Sequence, residues 1–203
     1  MLTLHRAALL LPDPADPTAS PIVDGAVLVD GATIARLGPF ADVAGARVRE
    51  WPGLLVPGLV NRHGAWLLEH AYHPDPREEA GERPLPPPAE LTDERWGASA
   101  RRGLQRMLGH GATAVTGPFE RAAVRTAVAR SGLHPLGGDG TSAPGELDPL
   151  ADATPASAVH RPLTVGGPAD FAVFAVGSVA EWEQRGGACL ATVLGGRLLY
   201  RGR

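Results

Sequence analysis

Residues 54–63 constrain the fold more than any other stretch of this sequence. They read Leu-Leu-Val-Pro-Gly-Leu-Val-Asn-Arg-His, an apolar run that Pro57-Gly58 interrupts and that ends in a polar tip. Because proline and glycine weaken a strand interior, the pattern predicts a strand, a turn, and the start of a second buried strand. His63 then follows the second strand at its carboxyl end, which is where a (β/α) barrel holds metal ligands.

The sequence before this stretch alternates short β-rich runs with turn residues. The pairs Asp24-Gly25 and Asp30-Gly31 favour hairpins, because glycine accepts the positive φ that such turns require. A proline-containing loop over residues 12–21 separates the first run from the second. This part of the chain is therefore predicted to be mostly β. The predicted strands cover residues 1–11, 26–29, 33–37 and 48–56.

The middle of the chain has the periodicity of helices. Thr92 is a plausible N-cap, apolar residues follow it at helical spacing, and Gly109 ends the pattern. A short buried strand and another helix come next, an order that indicates βα units of a parallel sheet. The predicted helices cover residues 65–72, 92–108 and 120–130, and the predicted strand covers residues 112–116.

Loops and a return to β structure complete the prediction. Residues 75–88 are charged and then rich in proline, which excludes a regular element and predicts a surface loop. Residues 137–149 are predicted to be a loop, and residues 150–159 a weak helix. A strand is predicted over residues 164–174, and a final hairpin is predicted over residues 190–200.

The pattern Pro-Gly-apolar-apolar-Asn-x-His of residues 57–63 resembles the signature of the amidohydrolase superfamily, and most of all its imidazolonepropionase and aminodeoxyfutalosine deaminase group. Residues 164–174 and 190–200 resemble the closing strands of that group. The resemblance implies a β composite domain built from both termini and hydrolysis of non-peptide C–N bonds. It also implies a catalytic metal on two histidines, of which the first is His63 and the second position is Ala65.

The number of residues between the two stretches that resemble the family determines the predicted fold class. From Gly58 to Pro168 the chain advances 110 residues (168 − 58), whereas a closed eight-stranded barrel takes roughly 250. We therefore predict an α/β fold that is mostly β and is not a full TIM barrel. Residues 1–57 and 164–203 would form a β-sandwich composite domain, and residues 58–163 a truncated barrel-like insert.

Three histidines are candidate metal ligands. His63 is either a metal ligand at a strand end or a histidine that is hydrogen-bonded within the fold. One imidazole does not hold zinc, because catalytic zinc sites use three protein ligands. His70 and His73 share a face if their segment is helical, and with His63 they would make a rebuilt site; the alternative is a solvated helix end. No cofactor is expected unless such a site binds a divalent metal, zinc or iron.

Three further features are weaker candidates. Residues 137–142 are rich in glycine but lack the lysine of a phosphate-binding loop, so a plain loop is predicted. Asp170 lies in the Ala-Asp strand motif, where the resemblance implies a structural role. Cys189 precedes a predicted strand with no base near it in the sequence, which predicts a buried small residue rather than a nucleophile.

Charge and composition limit the partners. The net charge of −3 gives no electrostatic attraction to nucleic acid or to a membrane surface. No apolar run approaches the ~20 residues of a spanning helix. The 19 basic residues are all arginine, which indicates a GC-rich bacterial genome. The single cysteine indicates a reducing, cytoplasmic setting.

Two functions stay open at this point. The resemblance favours a metal-dependent hydrolase, whereas the missing second histidine favours a non-catalytic assembly or regulatory module. An incomplete barrel leaves strand edges and apolar helix faces that need cover. We therefore expect a homodimer or a partner protein bound through residues 58–163.

Overall fold

The computed structural model describes residues 2–81, 83–138 and 143–202. Ten strands form two sheets in this part of the chain. The strands are β1 (Leu2–Leu10), β2 (Ile22–Asp30), β3 (Thr33–Pro39), β4 (Arg47–Pro57), β5 (Leu59–Asn61), β6 (Ala112–Thr116), β7 (His134–Leu136), β8 (Phe171–Phe174), β9 (Cys189–Leu194) and β10 (Arg197–Arg201).

The helices lie between β5 and β9 in the sequence. They are α1 (Gly64–Glu69), α2 (Asp93–Leu108), α3 (Ala122–Ser131), α4 (Pro155–Ala158) and α5 (Val179–Arg185), with a single 3₁₀ turn at Pro76–Glu78. Among the described residues, no helix has both the length and the apolar character that crossing a membrane requires.

The large sheet has seven strands in the order β10-β9-β8-β4-β1-β2-β3. Strands β1 and β4 are parallel, and all other neighbours in this sheet are antiparallel. The two ends of the sheet approach each other, because a Cβ added at Gly196 would lie 2.0 Å from the carbonyl oxygen of Gly31. Val29 and Val193, from opposite halves, share one buried core. The predicted sandwich is therefore one continuous sheet whose halves face each other.

The small sheet has three parallel strands in the order β5-β6-β7. Paired residues point to the same face, so Val60, Ala114 and His134 share one face and Val115 lies on the other. Val115 packs in a core with Leu104 of α2 and residues of α3. Helices α1, α2 and α3 therefore cover the Val115 face of the small sheet.

The start, the buried side and the end of helix α2 each follow from particular residues of the sequence. The hydroxyl of Thr92 accepts a hydrogen bond from the Arg95 N–H at 3.3 Å, which caps the helix as the sequence predicts. Leu104 and Met107 are fully buried on one side of the helix. Gly111 then adopts a positive φ of 82°, where an added Cβ would lie 2.8 Å from the ring of Phe174. Glycine at this position lets the chain turn into β6 against the large sheet.

The large sheet is joined to the small sheet by a shared core and to the end of α2 by a hydrogen bond. Leu59 of β5 packs in one cluster with Phe174 of β8 and Trp182 of α5. The hydroxyl of Thr192 in β9 donates to the carbonyl oxygen of Leu108 at 2.6 Å. The predicted mixed, mostly β fold is confirmed, and the strands of the described residues form no closed barrel. The division into a composite domain and an insert remains a prediction.

Several elements differ in extent from the sequence prediction. The strand expected over residues 164–174 is reduced to β8, because Gly166 has a φ of 82° and the chain turns before Pro168. The weak helix expected over residues 150–159 is reduced to α4, one turn that begins at Pro155. Strand β7 and helix α5 were not predicted.

Candidate functional site

A cavity of about 570 Å³ opens at the carboxyl ends of the small sheet. We call it the carboxyl-end cavity. It includes the last residues of β6 and β7 and the residues that follow β5, so all three strands point their carboxyl ends at it. The carboxyl ends of parallel strands are the usual place for a binding site in α/β folds. The lining residues are Val60, Arg62, His63, Thr116, Leu136, Gly137, Gly138, Ala143, Val159 and His160.

Asn61 fixes the turn that carries His63 into this cavity. Its side chain is fully buried, and its Oδ1 accepts the N–H of His63 at 2.9 Å. Its Nδ2 donates to the carbonyl oxygens of Glu146 at 3.1 Å and Leu147 at 3.0 Å. The amide therefore ties the end of β5 to a segment that is distant in the sequence.

His63 forms a pair with Asp152. Nε2 of His63 lies 2.5 Å from Oδ2 of Asp152, and since an ionised carboxylate only accepts, Nε2 donates. The imidazole is 20% exposed and the carboxylate 50% exposed. Gly145 lies against the same ring, because an added Cβ would come within 2.2 Å of Nδ1. One ring nitrogen is thus bonded, and the chain passes close to the other.

Ala65, at the second histidine position of the motif, faces a different cavity. Strand β5 ends at Asn61 and α1 begins at Gly64, where an added Cβ would lie 2.1 Å from Cγ2 of Val115. Ala65 is buried and lines a second cavity of about 630 Å³ together with Glu69 and His70. The early start of α1 therefore separates the directions of His63 and Ala65.

The structure places His70 and His73 apart. His70 ends α1 and is exposed. His73 lies beyond the helix and is fully buried, with Nε2 donating to the carbonyl oxygen of Leu67 at 2.8 Å. Burial, more than the nearby Arg106 and Arg102, lowers the pKa of His73 to about 4. His63, His70 and His73 therefore occupy three separate environments, and the condition that His70 and His73 share a helical face is not met.

Among the described residues, no set of side chains fits a catalytic divalent metal. Within residues 2–81, 83–138 and 143–202, no three histidine, cysteine, aspartate or glutamate side chains are placed to hold an ion together. A catalytic zinc site uses three protein ligands with an open fourth position. His63 and Asp152 supply only two possible metal ligands, and these two side chains are hydrogen-bonded to each other.

A second histidine–aspartate pair lies at the other end of the small sheet. Nε2 of His134, at the start of β7, is 2.8 Å from Oδ2 of Asp170. Oδ1 of Asp170 accepts the N–H of Gly195 at 2.7 Å, and this carboxylate is only 2% exposed. The ring of His160 lies 5.4 Å from that of His134, centroid to centroid. Burial is the main cause that lowers the pKa of His160 to about 4.

Glu69 has a structural role in the second cavity. Its Oε1 accepts the N–H groups of Glu120 at 2.7 Å and Arg121 at 3.0 Å, just before α3. Its Oε2 is 3.2 Å from Nε of Arg121. The buried carboxylate thus satisfies N–H groups at the start of a helix, a favourable place for negative charge.

The remaining sequence candidates have simple outcomes. Residues 139–142 of the glycine-rich stretch lie outside the described residues. Cys189 is buried, its Sγ lies 3.4 Å from Oγ1 of Thr192, and burial raises its pKa to about 11. The sequence did not identify Asp152, Arg62 or His160 as candidate site residues. Asp152 is 89 residues from His63 in the sequence, so no local pattern marks it as a partner of that histidine.

Comparison with known proteins finds architectural likeness only. No protein-family model and no curated protein matches the chain. Solved structures with a similar fold include an amidohydrolase from an environmental sample of the Sargasso Sea (20% identity, TM-score 0.43, covering 68% of this chain and 33% of that one). They also include an adenosine deaminase from Xanthomonas campestris with bound zinc (24%, 0.47, 66% and 33%) and a Xaa-Pro dipeptidase with bound methionine (16%, 0.49, 80% and 39%). The chain spans about a third of the length of such proteins.

Proposed function

We propose that this chain is an amidohydrolase-like protein, similar to the imidazolonepropionase and aminodeoxyfutalosine deaminase group, that acts as a non-catalytic binding module. In this proposal the ligand occupies the carboxyl-end cavity, and no metal-dependent hydrolysis takes place there. The observation that carries the proposal is that His63 and Ala65 line different cavities.

The physical reason is the change of backbone periodicity within the motif. In a strand, residues i and i+2 point to the same side, so both positions of a His-x-His motif reach one metal. In this chain the strand ends two residues before His63, and Ala65 is already the second residue of α1. The helical turn directs the two positions apart, and Asp152 bonds one of the two ring nitrogens of His63.

Turnover assays test this proposal directly. The purified chain, with zinc or manganese added, is incubated with cyclic amides and with aminopurines, the substrate types that the resemblance implies. We expect no hydrolysis above the buffer rate, and the same null rate for His63→Ala. Hydrolysis that the wild type shows and His63→Ala lacks would contradict the proposal.

A second candidate function is hydrolysis of non-peptide C–N bonds in the carboxyl-end cavity. The position of the cavity at the ends of three parallel strands favours this candidate. The pair of His63 and Asp152 has the form of an imidazole that is oriented by a carboxylate, as in general base catalysis. The assay above decides between the two candidates.

We also propose that the chain self-associates or binds a partner protein through residues 58–163. Strand β7 supports this, because within the described residues it pairs only with β6 and leaves an edge of the small sheet open. Light scattering over a concentration series measures the molar mass. A mass that rises toward the dimer supports self-association, and a constant monomer mass would contradict it.

A further inference from the structure

Strand β4 has a free edge along its first half. On one side it pairs with β1 from Arg47 to Leu55. On the other side β8 pairs only with Leu54–Pro57. Within the described residues, no strand and no backbone hydrogen bond covers the second side of residues 47–51. An edge of this kind presents unpaired backbone N–H and C=O groups to which a further strand can bind.

Two arginines lie along this edge on one face of the strand. Successive side chains of a strand alternate between its faces, so Arg47, Arg49 and Trp51 share a face. Trp51 belongs to the core inside the large sheet. The core face of a strand ordinarily carries apolar side chains, whereas Arg47 is exposed and Arg49 is partly exposed. Toward its amino end, this face of β4 therefore changes from apolar to positively charged.

No carboxylate neutralises these two arginines within the described part of the chain. Their side chains make no hydrogen bond and no ion pair there. Glu50, which lies between Trp51 and Arg49 in the sequence, points to the opposite face and is 3.1 Å from Nη1 of Arg6. Arg6 is thus paired, whereas the guanidinium groups of Arg47 and Arg49 keep their N–H donors available to a ligand.

Arg201 of β10 adds a third cation on the same side. Its guanidinium carbon lies 5.9 Å from the centroid of the Trp51 ring. Burial, together with the charges of Arg47 and Arg201, lowers the pKa of Arg49. The three guanidinium groups therefore repel one another, and a ligand that brings negative charge would relieve this repulsion.

The opposite face of the same edge is partly apolar. Val48 points to that face and is 41% exposed. In paired strands, side chains that lie opposite each other on one face interact directly. A strand added beside β4 would therefore place one set of its side chains against Arg47 and Arg49, and the alternate set beside Val48.

We propose that residues 47–51 form a docking edge for an extended acidic segment of a partner protein. The segment adds a strand to β4, with carboxylates at alternate positions on Arg47 and Arg49 and apolar side chains between them. The net charge of −3 disfavours attraction of long polyanions, which favours a short segment with a few charges in register. The assignment goes beyond the proposed function, because this edge lies outside the carboxyl-end cavity and outside residues 58–163.

A peptide titration of the full chain, followed by the NMR amide shifts of the protein, tests the assignment. The probe is acetyl-Glu-Val-Glu-Val-Glu-amide. We expect a dissociation constant on the order of 1 mM, with the largest shifts at residues 47–51. A control peptide with glutamine in place of glutamate should bind at least about tenfold more weakly, because it lacks the charge. A second control, with proline in place of valine, should also bind about tenfold more weakly, because proline has no N–H to pair with the edge.

Two double variants make the test specific. Arg47→Gln with Arg49→Gln is expected to weaken binding of the acidic peptide about tenfold or more. The melting temperature should not fall, because within the described residues the two guanidinium groups have no partner to lose. Arg101→Gln with Arg130→Gln changes two exposed arginines on α2 and α3, and with them the same net charge, and should bind like the wild type.

Several results would overturn the assignment. If the acidic peptide does not bind at about 5 mM, the arginines serve only to keep the edge of β4 from pairing. The assignment also fails if the glutamine or the proline peptide binds as tightly as the acidic one. Shifts that map away from residues 47–51, or equal binding by the two double variants, would contradict it as well.

Discussion

The two ends of the small parallel sheet carry the same kind of pair, a histidine bonded to an aspartate, in opposite surroundings. At the carboxyl end, Asp152 is half exposed, and among the described residues His63 is its only side-chain partner. At the amino end, Asp170 is almost completely buried and has a second donor in the N–H of Gly195. The contrast lies in the carboxylates, because both imidazoles are partly exposed.

This difference gives the two pairs different roles, stabilisation of the fold at the amino end and ligand binding at the carboxyl end. A buried carboxylate needs every partner it has, so the pair at the amino end holds β7 to the large sheet. An exposed carboxylate is solvated, so its ion pair contributes little to stability. The pair at the carboxyl end can therefore take part in ligand binding without destabilising the fold. In barrels the carboxyl end likewise carries function and the amino end carries stability.

The largest expected effect comes from histidines outside both pairs. Burial, with a smaller contribution from Arg49, lowers the pKa of His5 to about 3, and burial lowers that of His73 to about 4. Both pKa values in the folded state lie below the value of 6.5 in the unfolded state. The unfolding free energy that the two neutral histidines contribute is therefore complete above pH 6.5 and is lost as the pH falls toward 4. Between pH 7 and pH 5 we expect a loss of roughly 4 kcal/mol, about 2 kcal/mol for each histidine.

Urea unfolding at several pH values measures this loss. His73→Gln should roughly halve the dependence on pH, whereas His70→Gln, a change of an exposed histidine nearby, should leave it unchanged. A stability that stays constant from pH 7 to pH 5 would mean that the two buried histidines accept protons in the folded state.

The aspartates themselves give the next largest effect. Asp170→Asn removes the buried charge that binds His134 and Gly195, and we expect a loss of roughly 2–3 kcal/mol of unfolding free energy. Asp152→Asn, the matched change in the exposed pair, should cost less than about 1 kcal/mol. Equal costs in urea unfolding would remove the distinction between the two ends of the sheet.

A smaller effect is expected at the glycine that starts α1. In Gly64→Ala the new methyl group would lie 2.1 Å from Cγ2 of Val115 and 2.8 Å from the carbonyl oxygen of Thr116. We expect a loss of about 1–2 kcal/mol, since this buried site cannot expand freely. Gly137→Ala is the control, because an added Cβ there meets nothing within 4 Å. If Gly64→Ala were as stable as the control, the start of α1 would not lie as close to Val115 as the structure shows.

The smallest expected effect is on metal binding by Ala65→His. This change restores the sequence of the motif but not its geometry, because residue 65 faces the cavity of Glu69 and His70. Zinc titration should give the same weak binding for Ala65→His and for wild type. A new tight site that disappears in the double variant with His63→Ala would show that the two positions can meet.

Local features of the fold were readable from the sequence, whereas the long-range contacts of the site were not. The cap at Thr92, the strand at Ala112–Thr116 and the place of His63 just after a buried strand follow from spacing and turn residues. Strand β7 was missed because it has three residues and Pro135 is one of them. Asp152 was missed because it meets His63 only through the tertiary fold.

Elemental analysis of the purified chain, beside His63→Ala, tests the central claim most directly. That claim is that the motif no longer forms a metal centre, because its two ligand positions point apart and His63 is bonded to Asp152. We expect far less than one zinc, iron or manganese ion per chain, with no difference between the two proteins. A nearly stoichiometric metal that His63→Ala loses would contradict the account.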